Sequence, residues 1–203
     1  MLKRTSIKHV NSILEKNLNW KVLDIGCGFR AHKNASVIAD IQDFSDFYKE
    51  KKFIKINEKN LPFKNKEFDF VISSHVMEHV NDVEFFISEI ERISSKGYIE
   101  LPTKLEDNLV FENKKDHLWH MDFDDVDQKL IITNKLQHLE PILTVSTIKK
   151  LEQIFKKSLV IELIWEDKIN YVFNKLDNKN FEKISLFILV RKYFSKKIRM
   201  FFK

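Results

Sequence analysis

The sequence has few of the residues that break or cross-link a chain: three glycines, three prolines and one cysteine in 203 residues. A lone cysteine, Cys27, excludes an internal disulfide and a zinc site built from cysteines, and it suits a reducing compartment. The longest apolar run, Leu186–Val190, is far too short to cross a bilayer. The N-terminal segment also lacks the apolar core of a secretory signal. We therefore expect a cytoplasmic protein, or one that is at most peripheral to a membrane.

The rest of the composition is typical of a folded globular protein with a small basic excess. Hydrophobic residues make up 43% of the chain and charged residues 32%. The net charge of +5 could suit nucleic acid or an anionic membrane. Acids and bases are interspersed along most of the chain, however, and basic residues concentrate only near its end. Because no nucleic-acid module, repeat or linker is evident, we expect one domain over 1–203.

Two of the three glycines lie two residues apart, directly after an apolar segment. The sequence VLDIGCG at 22–28 places Gly26 and Gly28 where a predicted buried strand ends. Glycine lets a ligand approach the backbone closely, and α/β sheets bind their ligands at the carboxyl ends of their strands. The segment therefore predicts a nucleotide-like cofactor at the end of the first strand of the sheet.

Strand-like and helix-like segments alternate along the chain, which predicts an α/β protein. Strands are predicted at 20–25, 37–41, 52–57, 67–74 and 97–102, and helices at 5–17, 43–51 and 80–94. The connection over 29–36 is too short for a full crossover helix, so either that helix is reduced to about one turn or the second strand lies elsewhere. Further along, the patterns predict a strand at 129–133, a helix over 145–155, and an antiparallel hairpin of 159–165 with 168–173.

Five motifs, in this order, resemble a class I S-adenosylmethionine-dependent methyltransferase of the type-11 group. They are VLDIGCG at 22–28, Asp40 at the end of the second strand, Leu-Pro-Phe at 61–63, Glu-Phe-Asp-Phe-Val at 67–71 and Glu-His-Val at 78–80. The resemblance covers about residues 20–102 and implies a Rossmann-like sheet flanked by helices. That sheet would be mostly parallel with an antiparallel last strand, and a lid insertion would follow the fifth strand.

This resemblance also divides the single domain into segments. They are an N-terminal helix (1–19), a cofactor-binding half (20–102), an acceptor lid (103–157), a closing hairpin (158–180) and a basic amphipathic C-terminal helix (181–203). The last segment alternates aromatic and basic residues, which suits contact with an anionic membrane. Docking on the sheet or on a partner subunit is the alternative.

The resemblance implies a binding site for S-adenosylmethionine around the glycine turn. Asp24 would hold the methionine ammonium, directly or through water, and the two glycines would let the backbone lie against the cofactor. Asp40 would accept both ribose hydroxyls, with a role as a helix cap or turn residue as the alternative. Asn57 would contact adenine. The predicted cofactor-binding residues are Asp24, Gly26, Cys27, Gly28, Asp40, Ile41, Asn57, Glu58 and Ser74.

Histidines follow the fourth predicted strand, where His75, Glu78 and His79 would share one face if they open a helix. Three interpretations stay open. Glu78 and His79 brace the start of the helix; or His75, His117 or His120 is a catalytic general base; or His75, Glu78 and His79 hold a divalent metal with a later histidine. The third resembles the metal-binding Glu-x-x-Glu-His of ubiquinone-pathway and small-RNA methyltransferases, with His75 replacing the first Glu. That replacement favours a softer metal than Mg²⁺.

These features together predict methyl transfer from S-adenosylmethionine to a small-molecule or carbohydrate-type acceptor, most often at oxygen. An insertion of the size of 103–157 suits such an acceptor better than a macromolecule. One alternative is a catalytically degenerate member of the fold that binds and supports a partner enzyme. A further alternative is a metal-dependent O-methyltransferase that acts on RNA or on a lipid-linked acceptor.

Overall fold

The computed structural model of the protein describes residues 1–57, 60–174 and 183–202. Its elements follow the order β1 (Leu2–Arg4), α1 (Ile7–Lys16), β2 (Val22–Ile25), β3 (Val37–Asp40), β4 (Lys52–Lys55), β5 (Phe70–Ser74), α2 (Val83–Ile93), β6 (Lys96–Pro102), α3 (Lys104–Leu109), α4 (Asn113–Asp116), β7 (Trp119–Asp124), β8 (Lys129–Asn134), α5 (Val145–Leu159), β9 (Val160–Glu166), β10 (Tyr171–Phe173) and α6 (Leu186–Phe201).

A seven-stranded sheet in the order β1-β9-β6-β5-β2-β3-β4 forms the centre of the fold. Strands β2 to β6 are parallel, whereas β9 runs antiparallel to β6 and β1 antiparallel to β9. This confirms the predicted α/β fold with a mostly parallel, Rossmann-like sheet and an antiparallel strand late in the chain. Because β2 lies between β5 and β3, the glycine turn that follows it opens at the middle of the sheet edge.

Helix α2 covers one face of this sheet. It begins three residues later than the helix predicted over 80–94. Its buried side is Val83, Phe86, Ile87, Ile90 and Ile93, the helically spaced set seen in the sequence. Asp82 caps the first turn by accepting a hydrogen bond from the backbone N–H of Phe85. The helix therefore begins at Val83, and residues 75–79 form a turn before it. The expectation that His75, Glu78 and His79 open a helix is wrong.

No helix forms in the connection between β2 and β3, so the second strand is where the sequence predicts it and the crossover is shortened to turns. The ammonium of Lys51 replaces the missing helical hydrogen bonds. Its Nζ donates to the backbone carbonyls of His32 at 3.2 Å, Lys33 at 3.2 Å and Ala35 at 3.0 Å. A single cation thus satisfies the carbonyl oxygens of a loop that has no secondary structure of its own.

Tyr48 fixes the other end of the same loop. Its hydroxyl donates to the carbonyl of Gly28 at 2.9 Å and accepts from the N–H of Ala31 at 2.9 Å. The segment 43–51 that supplies both side chains is a series of turns, not the predicted short helix. Through Tyr48 and Lys51, this segment holds the crossover loop in place by hydrogen bonds.

A smaller sheet of order β10-β8-β7 contains part of the chain between β6 and β9. The predicted strand at 129–133 and helix at 145–155 correspond to β8 and α5, whereas β7 has no counterpart in the sequence-based assignment. The predicted antiparallel hairpin is wrong, because β9 pairs with β6 and β1 while β10 pairs in parallel with β8. Asp167 has a φ of +61° between them and redirects the chain.

We expect Lys51→Met to lower the free energy of unfolding by about 1–3 kcal/mol, because three backbone carbonyls lose a charged donor. Urea denaturation at pH 7 measures this. The matched control is Lys52→Met, an exposed neighbour, which should change stability by less than about 0.5 kcal/mol. Equal effects of the two substitutions would contradict the role assigned to Lys51.

Candidate functional site

An open cleft runs along the carboxyl ends of the central strands and has two halves. The β3 half encloses about 790 Å³ and is lined by residues that include Asp40, Ile41, Asn57, Leu61 and Phe85. The α5 half encloses about 910 Å³ and is lined by residues that include Asp24, Ser74, Glu100, Glu106, His117 and Lys156. Gly26, His75, His79 and Asp116 line both. The two halves therefore meet at the glycine turn.

The glycine turn has a backbone conformation that excludes other residues. Gly26 has a φ of +70°, and a Cβ there would lie 2.3 Å from Cγ2 of Val76. Its N–H donates to the carbonyl of Ala39 at 2.7 Å, which ties the turn to β3. Gly28 also has a positive φ, +48°, but open space around it. It is therefore Gly26, at the junction of the two halves, where the close contact with Val76 leaves no room for a side chain.

Asp24 lies beneath this turn as a buried carboxyl at the floor of the α5 half. Its Oδ2 accepts a 2.6 Å hydrogen bond from the N–H of His32. Burial raises the pKa of Asp24 to about 6, although that hydrogen bond and the charge of Lys51 act in the opposite direction. The carboxyl thus accepts one backbone hydrogen bond, and the positive charge near it does not offset the cost of burying its ionised form. Cys27 beside it is a neutral thiol, because burial raises its pKa to about 12.

The position of Asp40 is compatible with both roles considered from the sequence, that of a turn residue and that of a ribose ligand. Its Oδ2 accepts from the N–H of Gly28 and its Oδ1 from the N–H of Gln42, both at 2.9 Å. Each carboxylate oxygen can accept more than one hydrogen bond, and the side chain lines the β3 half. The turn role is therefore observed, and it leaves acceptor capacity directed into the cleft.

The structure brings most of the other predicted cofactor residues to the same cleft. Ile41 and Asn57 line the β3 half, and Ser74 lines the α5 half, where its hydroxyl donates to Oε1 of Glu100 at 2.9 Å. Gly28 contributes through its hydrogen bond to Asp40 rather than as a wall. Glu58 lies outside the described residues.

His75 is held between two carboxylates. Its Nδ1 lies 3.2 Å from Oε1 of Glu78 and its Nε2 lies 3.6 Å from Oε1 of Glu100. Although burial alone would lower it, the neighbouring carboxylates Glu78, Glu100 and Glu106 raise the pKa of His75 to about 9. An imidazolium has no lone pair with which to accept a proton or bind a metal. The geometry therefore does not support the sequence-based assignments of His75 as a general base and metal ligand.

Asp107 lies against three nitrogen donors at once. Its Oδ1 lies 2.7 Å from Nδ1 of His117 and 3.0 Å from Nζ of Lys135, and its Oδ2 lies 2.9 Å from Nδ1 of His120. These partners hold the pKa of Asp107 well below its usual range, although burial acts in the opposite direction. Sequence reasoning missed Asp107, because nothing in its local pattern indicates partners that are 10 to 28 residues away.

The two histidines bound to Asp107 differ in what they face. His120 is 1% exposed, its Nε2 bonds to the carbonyl of Leu136 at 2.8 Å, and it does not line the cleft. Both of its nitrogens are engaged, so the geometry gives it a structural role in place of the predicted catalytic one. His117 lines the α5 half, and its ion pair with Asp107 uses only Nδ1.

Glu78, His79 and His117 form a compact group at the junction of the two halves. One potential ligand atom from each lies within 4.8 Å of the others. Nδ1 of His79 bonds to the carbonyl of Asp116 at 2.9 Å, and Nδ1 of His117 lies 2.7 Å from Oδ1 of Asp107, so Nε2 is the atom that each ring could offer to a metal. Glu78 is fully buried, and neither of its oxygens has a well-oriented hydrogen bond in the described structure. Of the predicted metal set, Glu78 and His79 belong to this group with His117 as the later histidine, whereas His75 does not.

The α5 half has a strongly polar wall. One stripe of α5 faces the cleft with Lys149, Glu152, Gln153 and Lys156. Nζ of Lys156 lies 3.0 Å from Glu100 and 2.8 Å from Glu162. Glu106 lies opposite as a buried carboxyl, and burial raises its pKa to about 7. Such a surface is complementary to a hydroxylated or charged molecule rather than to an apolar one.

Comparisons with known proteins relate the chain to methyltransferases. A family model described as a methyltransferase domain matches residues 23–99. The chain is 30% identical over 200 residues to the uncharacterized protein MJ0638 of Methanocaldococcus jannaschii, and the match covers 78% of this chain and 86% of that protein. It is 32% identical over 96 residues to a ubiquinone biosynthesis O-methyltransferase of Pelagibacter ubique, of whose length it spans 40%, with 40% of this chain covered. The crystal structure of the PH0226 protein from Pyrococcus horikoshii superposes with a TM-score of 0.47 at 15% identity, over 80% of this chain and 89% of that one.

Proposed function

The chain belongs to the class I S-adenosylmethionine-dependent methyltransferases, and we propose that it transfers the methyl group to a hydroxyl oxygen of a small-molecule or carbohydrate-type acceptor. The single observation that carries the choice of oxygen is the pair of Asp107 and His117, because Nδ1 of His117 lies 2.7 Å from Asp107 while its ring lines the α5 half. The Pelagibacter relative, an O-methyltransferase by name, supports the same choice.

In this proposal the cofactor lies across the glycine turn. Its adenosine occupies the β3 half, with Asp40 at the ribose, and its methionine end reaches Asp24 in the α5 half. Gly26 lies between the two, so the sulfonium and its methyl group come to the junction. The buried carboxyl of Asp24 then receives the cationic ammonium, which supplies the positive charge that its surroundings lack.

The acceptor occupies the remainder of the α5 half, against the polar stripe of α5. Its hydroxyl oxygen attacks the methyl carbon in line with the carbon–sulfur bond, that bond breaks, and its electron pair stays on sulfur to give S-adenosylhomocysteine. Nε2 of His117 takes the hydroxyl proton. Asp107 holds Nδ1–H and fixes the tautomer in which Nε2 is the acceptor. Positioning of donor and acceptor supplies much of the remaining rate enhancement.

We expect His117→Gln to lower kcat at least about 100-fold, because a glutamine amide cannot take up the hydroxyl proton. Release of S-adenosylhomocysteine with a panel of phenols, catechols and methyl glycosides measures turnover. The affinity for S-adenosylhomocysteine should stay within about threefold of wild type. The matched control is His9→Gln, an exposed histidine on α1, which should leave both quantities unchanged.

An unchanged kcat in the His117 variant would contradict the assignment of the base. A wild-type protein that binds S-adenosylmethionine but turns over no hydroxyl acceptor would instead favour the alternative of a degenerate binding protein. The two outcomes are distinguished because the second already shows in the wild type.

Binding of S-adenosylhomocysteine should weaken about tenfold between pH 7 and pH 5, because one pKa unit below its pKa of about 6 the unliganded Asp24 is mostly protonated. A protonated carboxyl must lose its proton before it can pair with the ammonium. Asp24→Asn should bind weakly at both pH values and show a flat profile. Its neighbours His32, Lys51 and Asp40 are still present in that variant, so a flat profile assigns the pH dependence to Asp24 itself. Calorimetry at the two pH values measures this, and an equally steep profile in the variant would exclude Asp24 as the titrating group.

A second candidate function is metal-dependent transfer, supported by the Glu78, His79 and His117 group. The donor set fits a divalent metal: one buried carboxylate without a well-oriented hydrogen bond and two imidazoles whose Nδ1 atoms bond to oxygen acceptors, the arrangement common around metal-bound histidines. Nitrogen and oxygen donors together suit zinc, iron or manganese better than Mg²⁺. A bound metal would lower the pKa of a coordinated hydroxyl. For this metal-dependent candidate, the acceptors also include RNA and lipid-linked molecules.

Metal analysis separates the two candidates. If the metal candidate holds, purified protein should contain about one metal ion per chain, and His79→Ala should lose it while His75→Ala keeps it. Turnover should also fall in a chelator and return when the metal is restored. Undiminished turnover in the metal-free protein would leave His117 as the base and exclude the metal.

A further inference from the structure

Helix α6 displays an apolar surface that the rest of the described chain leaves uncovered. None of its residues is buried. Phe187 is 73% exposed, Phe194 58% and Phe201 86%. Leu186, Val190, Phe194 and Phe201 recur at helical spacing, so they share one side of the helix. Apolar surface of this extent, concentrated on one helix, is characteristic of a contact with a membrane or another molecule.

Three of the five basic residues of α6, Lys192, Lys196 and Arg199, fall on the opposite side by the same spacing. Lys197 falls on the apolar side, with its ammonium 5.8 Å from the ring centroid of Tyr193. Residues 183–203 contain seven basic residues and no acidic ones: Lys183, Arg191, Lys192, Lys196, Lys197, Arg199 and Lys203. Acids and bases alternate along the rest of the chain, so this segment differs from it in charge as well as in exposure.

We propose that α6 lies on an anionic lipid bilayer, with its aromatic side in the headgroup and acyl boundary and its basic side toward lipid phosphates. A bilayer surface supplies both an apolar layer and negative charge, which together match the two sides of the helix. No helix of the described residues is long and apolar enough to cross a membrane. The proposed contact is therefore with the bilayer surface.

A second copy of the same helix is a poorer occupant. Antiparallel or parallel pairing would bury the aromatic side but would bring basic residues together with no acid in the segment to offset them. An anionic bilayer removes that repulsion, and each basic side chain near it adds to the attraction.

The start of α6 is attached to the body of the protein. The N–H of Glu140 donates to the carbonyl of Ile184 and the N–H of Ile184 to the carbonyl of His138, both at 3.0 Å, and the carboxylate of Glu140 accepts from the N–H of Leu186 at 2.8 Å. Asn108 of α3 holds the same segment by accepting from the N–H of Leu139 at 3.2 Å. The membrane-facing helix is therefore joined to the body of the protein at its first turn.

Co-sedimentation of the full chain with lipid vesicles tests the proposal. Vesicles of equal phosphatidylglycerol and phosphatidylcholine should bind the protein at least about tenfold more strongly than vesicles of phosphatidylcholine alone, and 0.5 M NaCl should remove most of that difference. Ile198→Ser and Lys192→Glu should each weaken binding about tenfold. The matched controls are Ile154→Ser and Lys157→Glu, exposed positions on α5 that do not line the cleft, and they should bind as wild type does.

No binding to anionic vesicles, or equal binding to both compositions, would overturn the proposal. A dimer in solution that Ile198→Ser dissociates would also overturn it, since a second copy would then cover the helix. Binding of S-adenosylhomocysteine, measured on the same samples, should be the same in all variants. Vesicle binding and the proposed reaction can therefore fail independently.

Discussion

A single buried carboxylate, that of Asp107, holds together the layer of chain that covers the α5 half of the cleft. Its partners come from separate parts of that layer: His117 follows α4, His120 lies in β7, and Lys135 follows β8. Burying a carboxylate is costly unless it is paired and hydrogen-bonded. Here one lysine and two imidazoles meet that requirement together, so loss of any one of these connections would leave a buried charge without full compensation.

At the junction of the two halves, too, carboxylates lie against a nitrogen group that offsets their charge. His75 has a positive φ of +54° and lies between the fully buried Glu78 and the half-buried Glu100. Its proximity lowers the pKa of both carboxyls, although burial acts in the opposite direction. Glu78 can therefore present a carboxylate to His79 and His117 without a hydrogen bond of its own. His75, which the sequence offered as a general base, thus lies in the structure as the counter-charge of two carboxylates.

The parts of the structure that sequence predicts well are those set by local pattern. The buried run Val22–Ile25, the glycines after it and the apolar spacing of α2 each specify their own conformation, and the resemblance to methyltransferases rests on them. What it misses depends on distant partners. Strand β1 has three residues and exists because β9 pairs with it, and β10 leaves its predicted hairpin because β8 offers another edge.

Roles at the site follow the same division. Gly26 and Asp40 lie where the motif implies, whereas Asp107 and the network around Glu100 depend on contacts across the fold that no spacing reveals. Lys51 shows how a departure from the family pattern is tolerated: one side chain binds three carbonyls and replaces the hydrogen bonds of a missing helix. The short crossover that was ambiguous in the sequence is thereby a stable part of the cofactor wall.

The central claim is that the sulfur of the cofactor lies at the junction of the two halves, beside His79 and His117. The chain has seven histidines, so an NMR titration of their imidazole resonances with S-adenosylhomocysteine tests it directly. Saturable shifts at His79 and His117, with His9 and His138 unchanged, are the predicted result. Binding that leaves the His79 and His117 resonances unmoved, or no binding at millimolar ligand, would contradict the claim.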